Sequence, residues 1–208
     1  MTGWATAFVV APGYLVTNAH AAHGTLRLFD PDTGRRYEGK LLALDEANDL
    51  ALLRADTPGA PLPMGQDVTV DFRLRAFAIG FPDPSRYGTG RKLSPGWVRT
   101  PPGFKGVKAM TLYLTALGGS SGSPVFDAQG RIIGVVTGGL TTPLLRDGEA
   151  SRTDPVPTAT PLPELLAFLK RENVSYVTYG LAGALEHVAA AVAPSVYLIE
   201  QTSTNANP

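Results

Sequence analysis

Glycine and proline interrupt this chain so often that long regular elements have little room to form. The 23 glycines and 18 prolines are spread through all 208 residues, and they leave short apolar segments bounded by turns, the pattern of an all-β fold. Ala5 to Val10 is one such segment, Ala11-Pro12-Gly13 reads as a turn, and Tyr14 to Thr17 starts a second strand, which makes a hairpin. Leu26 to Phe29, the polar turn Asp30 to Gly34, Tyr37 to Leu44 and Leu50 to Arg54 complete a first set. After a linker at Pro58 to Gly65 the texture returns at Leu74 to Ile79, Leu93 to Thr100, Met110 to Ala116, Pro124 to Phe126 and Ile132 to Thr137. Thr141 to Pro163 carries five prolines and little periodicity, so it is expected to be surface loop. Two helices are expected. Leu162 to Arg171 follows Thr160-Pro161 as cap and first-turn proline. Leu181 to Val192 puts Leu181, Leu185, Val188 and Val192 on one face before Pro194 stops it.

Composition narrows the partners. Hydrophobic residues make up 44% and charged residues 17%, enough apolar material for a substantial core. Eighteen basic and 18 acidic residues cancel, so neither nucleic acid nor an anionic membrane is an expected partner. Without cysteine there are no disulfides or thiolate ligands, and three scattered histidines form no ligand cluster; no metal and no cofactor are expected. Met1-Thr2-Gly3-Trp4 does not open a signal peptide, and Glu186 and His187 break the longest apolar run before it reaches membrane-spanning length.

Three local strings carry the chemistry, in this order: Thr17-Asn18-Ala19-His20 at a strand end, Asn48-Asp49-Leu50-Ala51-Leu52-Leu53, and Gly118-Gly119-Ser120-Ser121-Gly122-Ser123-Pro124. Singly, each has a bland reading as a structural histidine, a turn aspartate or an ordinary loop. Together they supply what a serine nucleophile needs: an imidazole to take its proton, a carboxylate to hold the imidazole's tautomer, and glycines that let backbone N–H groups converge on a developing oxyanion. His23 is a rival for His20, and Asp45 and Glu46 are rivals for Asp49. Only Asp49 immediately precedes the apolar Leu-Ala-Leu-Leu, and His23 lies three residues past its motif. His187 sits in a predicted helix and reads as structural.

The strings AFVVAPGYLVTNAH, NDLALL and GGSSGSPVF resemble the His, Asp and Ser motifs of trypsin-like serine proteases, and among them the bacterial Deg/HtrA-type branch. The resemblance continues through GRIIGVVTGG and the helix LPELLAFLKRE, and covers roughly residues 3 to 172. It implies two six-stranded antiparallel β-barrels with the triad in the cleft between them and short helices near the C-terminus. The implied activity is that of a serine endopeptidase working through an acyl-enzyme. The implied roles are His20 as base, Asp49 as orienting acid, Ser121 as nucleophile, and the Gly119 and Ser121 N–H groups as the oxyanion hole. Thr115 and Ala116 would line the S1 wall, and Thr137-Gly138-Gly139 would pair with a polypeptide substrate bound as an extended strand. No acidic residue occupies the pocket base, and Val136 stands where Glu-specific relatives carry histidine, so small or medium uncharged P1 residues are expected. A catalytically silent peptide-binding or scaffold module, or a protease restricted to its own chain, remain the alternatives. A bacterial protein, exported, periplasmic or cytoplasmic, fits a cysteine-free chain of this kind. Only 36 residues follow Glu172, too few for the PDZ domain usual in Deg/HtrA members. The free Ile-Val-Gly-Gly terminus of zymogen-activated relatives is also missing, so the enzyme is expected to be constitutively competent or regulated by loop ordering around Pro82 to Arg99.

The order of the chain departs from the family. The strand expected before the Gly-rich hairpin is missing at the N-terminus, while Leu185 to Glu200 resembles that opening helix and strand. A circular permutation is therefore expected, with the former termini joined through about Asn173 to Gly180. The units are then residues 1–57 as the first barrel, completed by 195–200; 58–65 as linker; and 66–172 as the second barrel and closing helix. Residues 173–180 form a second linker, 181–200 a helix and strand packing back, and 201–208 a flexible tail. An unrelated C-terminal unit packed elsewhere, or a strand swap into a neighbouring copy and so a homo-oligomer, are the other readings.

Overall fold

The computed structural model describes residues 2–140, 144–146, 149–151 and 156–202. Its strands are β1 (Thr2–Ala11), β2 (Tyr14–Thr17), β3 (Thr25–Phe29), β4 (Arg36–Asp45), β5 (Leu50–Arg54), β6 (Arg75–Gly80) and β7 (Lys92–Thr100). They continue with β8 (Met110–Tyr113), β9 (Pro124–Asp127), β10 (Ile132–Leu140), β11 (Leu144–Arg146), β12 (Glu149–Ser151), β13 (Val156–Pro161) and β14 (Val196–Thr202). The helices are α1 (Pro84–Tyr87), α2 (Leu162–Arg171) and α3 (Leu185–Val192). Two closed antiparallel barrels of six strands result, as the resemblance implied, with a small β11–β12 hairpin beside them.

The ring of the second barrel runs β6-β7-β8-β13-β10-β9 and back to β6. The ring of the first runs β14-β1-β2-β5-β4-β3 and back to β14, so the C-terminal strand lies between β1 and β3. Strand periodicity explains why these segments read as continuous apolar runs: both faces are buried. In β1, Ala5, Ala7 and Val9 point into the first barrel, whereas Phe8 and Val10 face a core shared by the two barrels. In β14, Tyr197 and Ile199 fill the barrel while Val196 and Leu198 face the shared core. That shared core also takes Phe77, Phe126, Ile132 and the buried stripe Leu162, Leu165, Phe168 and Leu169 of α2. The second barrel is filled by Ala76, Val98, Met110, Leu112, Val125 and Ile133.

Four local expectations need correction. The proline-rich stretch after Thr141 contains the sixth strand of the second barrel. β13 pairs with β10 from Gly134 to Leu140 but with β8 only through Thr158 and Ala159. Pro157 and Pro161 therefore flank the doubly paired part, where a missing N–H is tolerated. Residues 141–143, 147–148 and 152–155 of that stretch lie outside the described residues. Thr160 does not cap α2: its hydroxyl donates to the Asn48 carbonyl at 2.7 Å, and Pro161 takes the cap position. α3 begins at Leu185, four residues later than its periodicity suggested, because Gly183 has φ +140°, outside helical space. Gln201 and Thr202 belong to β14 instead of a tail, and residues 203–208 lie outside the described residues.

The two connecting segments run against each other. Met64 N–H donates to the Val177 carbonyl, the Tyr179 hydroxyl to the Pro61 carbonyl, and the Tyr176 hydroxyl to Gln66. The chain from α2 to α3 thus returns along residues 58–66 to deliver β14 to the first barrel.

Candidate active site

The antiparallel register of β2 on β5, with Thr17 opposite Ala51, brings the end of one strand beside the start of the other. His20 sits just past β2 in a single 3₁₀ turn, Ala19–Ala21, and Asp49 just before β5. Asp49 holds His20 at two points: its Oδ1 accepts the His20 backbone N–H at 3.0 Å, and its Oδ2 lies 2.8 Å from Nδ1. The backbone of Asp49 is left-handed, φ +52°, a conformation that costs a non-glycine residue about 1 kcal/mol or more and is found where surrounding structure enforces it. Asn18 helps enforce it, since its Nδ2 donates to the Asp49 carbonyl at 2.8 Å. Donating a hydrogen bond to Asp49 raises the His20 pKa above the ordinary imidazole value, against the opposing effect of partial burial; the charge of Asp49 adds to the rise. The imidazole remains accessible, with half of its side chain exposed.

The rivals have other partners or none of this geometry. Asp45 accepts from the Asn48 N–H and Nδ2 and pairs with Arg171 at 3.2 Å, closing the β4–β5 turn. Glu46, His23 and His187 are exposed.

Ser121 lies in the loop between β8 and β9, folded on itself by short bonds. Ser120 N–H donates to the Leu117 carbonyl, Leu117 N–H to Ser120 Oγ, and Ser123 N–H to the Ser120 carbonyl at 3.0 Å. Gly119 and Gly122 have φ +92° and +84°. A Cβ at Gly119 would run into the Phe81 carbonyl oxygen, and one at Gly122 into that of Thr6. Among the described residues, the N–H groups of Gly119 and Ser121 have no hydrogen-bond partner. The Ser121 hydroxyl donates to the Thr137 carbonyl at 3.3 Å, and among the described residues it has no hydrogen bond to His20.

Thr137 is the extra residue of a bulge in β10, and its own hydroxyl meets that of Thr158 at 3.0 Å. Gly138 and Gly139 pair with Thr158 and Pro157 on one side. On the other side β10 pairs with β9 only up to Val135, with Val136 bonded to Gly122 and Ser123. Beyond Val136, no described strand covers that edge. Thr115 is exposed and lines a cavity of about 420 Å³ with Pro95, Trp97, Tyr113 and Pro157, which His20, Asp49 and Ser121 do not line. Ala116 packs half-buried against the core of the second barrel. The structure therefore gathers Thr137 with Ser121, and His20 with Asp49, but does not join Thr115 to either group. Sequence reasoning gave no role to Asn18 or to Thr6, whose contacts with the serine loop are described below; the signal for Thr6 was a single polar residue inside the apolar run Ala5 to Val10.

A histidine clasped by a carboxylate stands on one barrel, and a serine on a glycine-bent loop stands on the other. The chain belongs to the trypsin-like peptidase domain family, whose family model matches residues 5–135. It is 35% identical over 120 residues to Protease Do-like 5, chloroplastic, of Arabidopsis thaliana, an alignment covering 52% of this chain and 36% of that protein. It is 29% identical over 129 residues to a probable periplasmic serine endoprotease, DegP-like, of Halomonas elongata, covering 59% and 26%. The matched part spans about a third or less of these curated relatives. In fold it is similar to the Rv3671c protease from M. tuberculosis in its active form, with TM-score 0.63, 21% identity and coverage of 86% of this chain and 77% of that one.

Proposed function

We propose that this chain is a serine endopeptidase in which Ser121 attacks the scissile carbonyl, His20 takes its proton and Asp49 orients the imidazole. The two-point grip of Asp49 on His20 carries this reading: a carboxylate bonded to Nδ1 leaves Nε2 as the free, basic nitrogen for the serine. The Ser121 hydroxyl must turn from the Thr137 carbonyl toward Nε2. His20 then protonates the leaving amine, and water repeats the sequence to release the acid. The unpartnered Gly119 and Ser121 N–H groups suit a developing oxyanion, and the uncovered edge of Thr137-Gly138-Gly139 suits an extended polypeptide. Small or medium uncharged P1 residues are the expected preference, and a peptide library cleaved mainly after Lys, Arg or Glu would reject it.

The resting bond between Ser121 and Thr137 is the one observation that favours a silent peptide-binding module. A fluorophosphonate probe decides between the two readings. Labelling of the folded wild type that is lost in Ser121→Ala is the expected result; an unlabelled wild type overturns catalysis.

The order of strands supports the permutation. With β14 counted first, the first barrel reads 1-2-3-6-5-4 around its ring, the same order as β6, β7, β8, β13, β10 and β9 in the second. With β14 counted last the two orders differ. β14 is thus read as the family's opening strand moved to the end of the chain, its partners lying in the same molecule.

A further inference from the structure

We propose that Thr6 is a positioning residue for the Gly119–Ser121 loop, anchoring from the opposite barrel the two peptide units that alternate with those of the active-site backbone donors. The proposal rests on the reading of Gly119 and Ser121 as oxyanion donors. Alternation along β1 puts Thr6 in the row of Phe8 and Val10, facing the other barrel, and there it is fully buried. A desolvated hydroxyl must find partners, and this one has two: it donates to the Gly119 carbonyl at 2.9 Å and accepts the Phe81 N–H at 3.3 Å. The Thr6 N–H donates to the Ser121 carbonyl at 2.7 Å, and the Thr6 carbonyl accepts the Thr17 hydroxyl, also at 2.7 Å.

The consequence follows from peptide planarity. In a trans peptide the N–H points opposite to the C=O of the same unit, so whatever holds the carbonyl aims the donor. The Gly119 N–H shares a peptide with the Gly118 carbonyl, which the Asp83 N–H holds. The Ser121 N–H shares one with the Ser120 carbonyl, which the Ser123 N–H holds. The two remaining units of the loop, Gly119–Ser120 and Ser121–Gly122, are the ones Thr6 pins, one through its hydroxyl and one through its amide. Successive carbonyls from Gly118 to Ser121 are then all anchored, and neither donor peptide can flip without breaking a neighbour's bond. The closeness required for this is also why residue 122 is glycine, since a side chain there would collide with the Thr6 carbonyl. Thr6 lies opposite Leu198 of β14, which ties the pin to the strand that completes the barrel.

Thr6→Val keeps the shape and the backbone bond but removes the hydroxyl; Thr6→Ser keeps the hydroxyl. Misplaced oxyanion donors lower kcat rather than substrate affinity, so Thr6→Val should reduce kcat by about 10- to 100-fold with KM within about twofold. Thr6→Ser should recover most of the loss. Amide exchange at Ser120, Gly122 and Ser123 should quicken about tenfold in Thr6→Val and not in Thr6→Ser. Wild-type kcat and exchange in Thr6→Val, or equal loss in both variants, overturns the proposal. If wild type neither turns over nor labels, it is the protease reading that falls, and the exchange comparison still decides the role of Thr6. Should Thr6→Val not fold, Thr6→Ala is read in the same way.

Discussion

The second barrel draws all six strands from one stretch, Arg75 to Pro161, whereas the first takes five from residues 2–54 and its sixth from residues 196–202. Around the ring the neighbours correspond; along the chain they do not. A closed barrel is specified by which edges pair and which residues face inward, and both can be satisfied by a strand arriving from either end of the chain. What changes is the distance to be closed. Thr2 of β1 meets Thr202 of β14 across the whole molecule, so the first barrel closes on long-range contacts and is expected to close last. His20 and Asp49 stand on that late-closing barrel, and Ser121 on the one built from contiguous sequence.

Removing β14 is the strongest way to break the comparison. Deleting residues 181–208 leaves β1 and β3 with facing open edges and takes Tyr197 and Ile199 out of the core. Cooperative thermal unfolding and probe labelling of Ser121 should both be lost; unchanged folding and activity would sink the permutation. The sharpening counterpart joins residues 181–202 ahead of Thr2 by a short turn, since the end of β14 already lies against the start of β1. That chain should keep its melting temperature within a few degrees and its labelling.

Asp49→Asn leaves both barrels closed and tests only the chemistry. A drop in kcat of roughly 10⁴ is expected from loss of the correct tautomer. With His20 as the proposed base, activity would require its neutral form, so wild-type kcat/KM should fall as pH drops through a pKa lying above the ordinary imidazole value. In Asp49→Asn that acid limb should move to lower pH, because the bond that raised the pKa is gone.

Arg91 makes a buried ionic link between the barrels. Its guanidinium, with a side chain 9% exposed, bonds Asp30, Asp32 and the Val196 carbonyl of β14. Burial alone would raise the Asp30 pKa, but hydrogen bonds from Thr33 and the Asp32 N–H, with Arg91, outweigh it and hold the carboxyl low. A depressed carboxyl stabilises the fold above its unfolded pKa, and that stability is lost as pH falls through the lower folded value. Arg91→Ala should cost about 3 kcal/mol near neutral pH and weaken the acid dependence of the melting temperature below about pH 4.

The smallest effect belongs to Tyr197→Phe. The hydroxyl accepts the Gly59 N–H at 3.0 Å, fastening β14 to the segment that leaves the first barrel. Its loss should cost about 1 kcal/mol, near 2–4 °C in melting temperature for a chain of this size. A larger fall would mean that β14 is held more by this bond than by its ring neighbours.

Residues whose meaning is local were legible in the chain. The turns at Ala11-Pro12-Gly13 and Asp30 to Gly34, the apolar strands, and the strings around His20, Asp49 and Ser121 each stand in a few consecutive residues. β13 was not legible, because its prolines argue against a strand until the one-sided pairing of its ends is known. Thr160 had the composition of a cap, but the Asn48 carbonyl, 112 positions away, claimed its hydroxyl.

By itself, the sequence determined the all-β class, the texture of most of the strands, and the three strings that hold the candidate histidine, aspartate and serine, because turn chemistry and period-2 burial act over neighbouring residues. The resemblance assigns residues 195–200 to the first barrel, but tertiary structure alone decided the register that seats β14 between β1 and β3, that Asp49 grips His20 at two atoms, and that Thr6 anchors the serine loop from the other barrel. Those outcomes depend on hydrogen bonds and packing between residues up to 200 positions apart, and no local pattern encodes which distant group will be the partner.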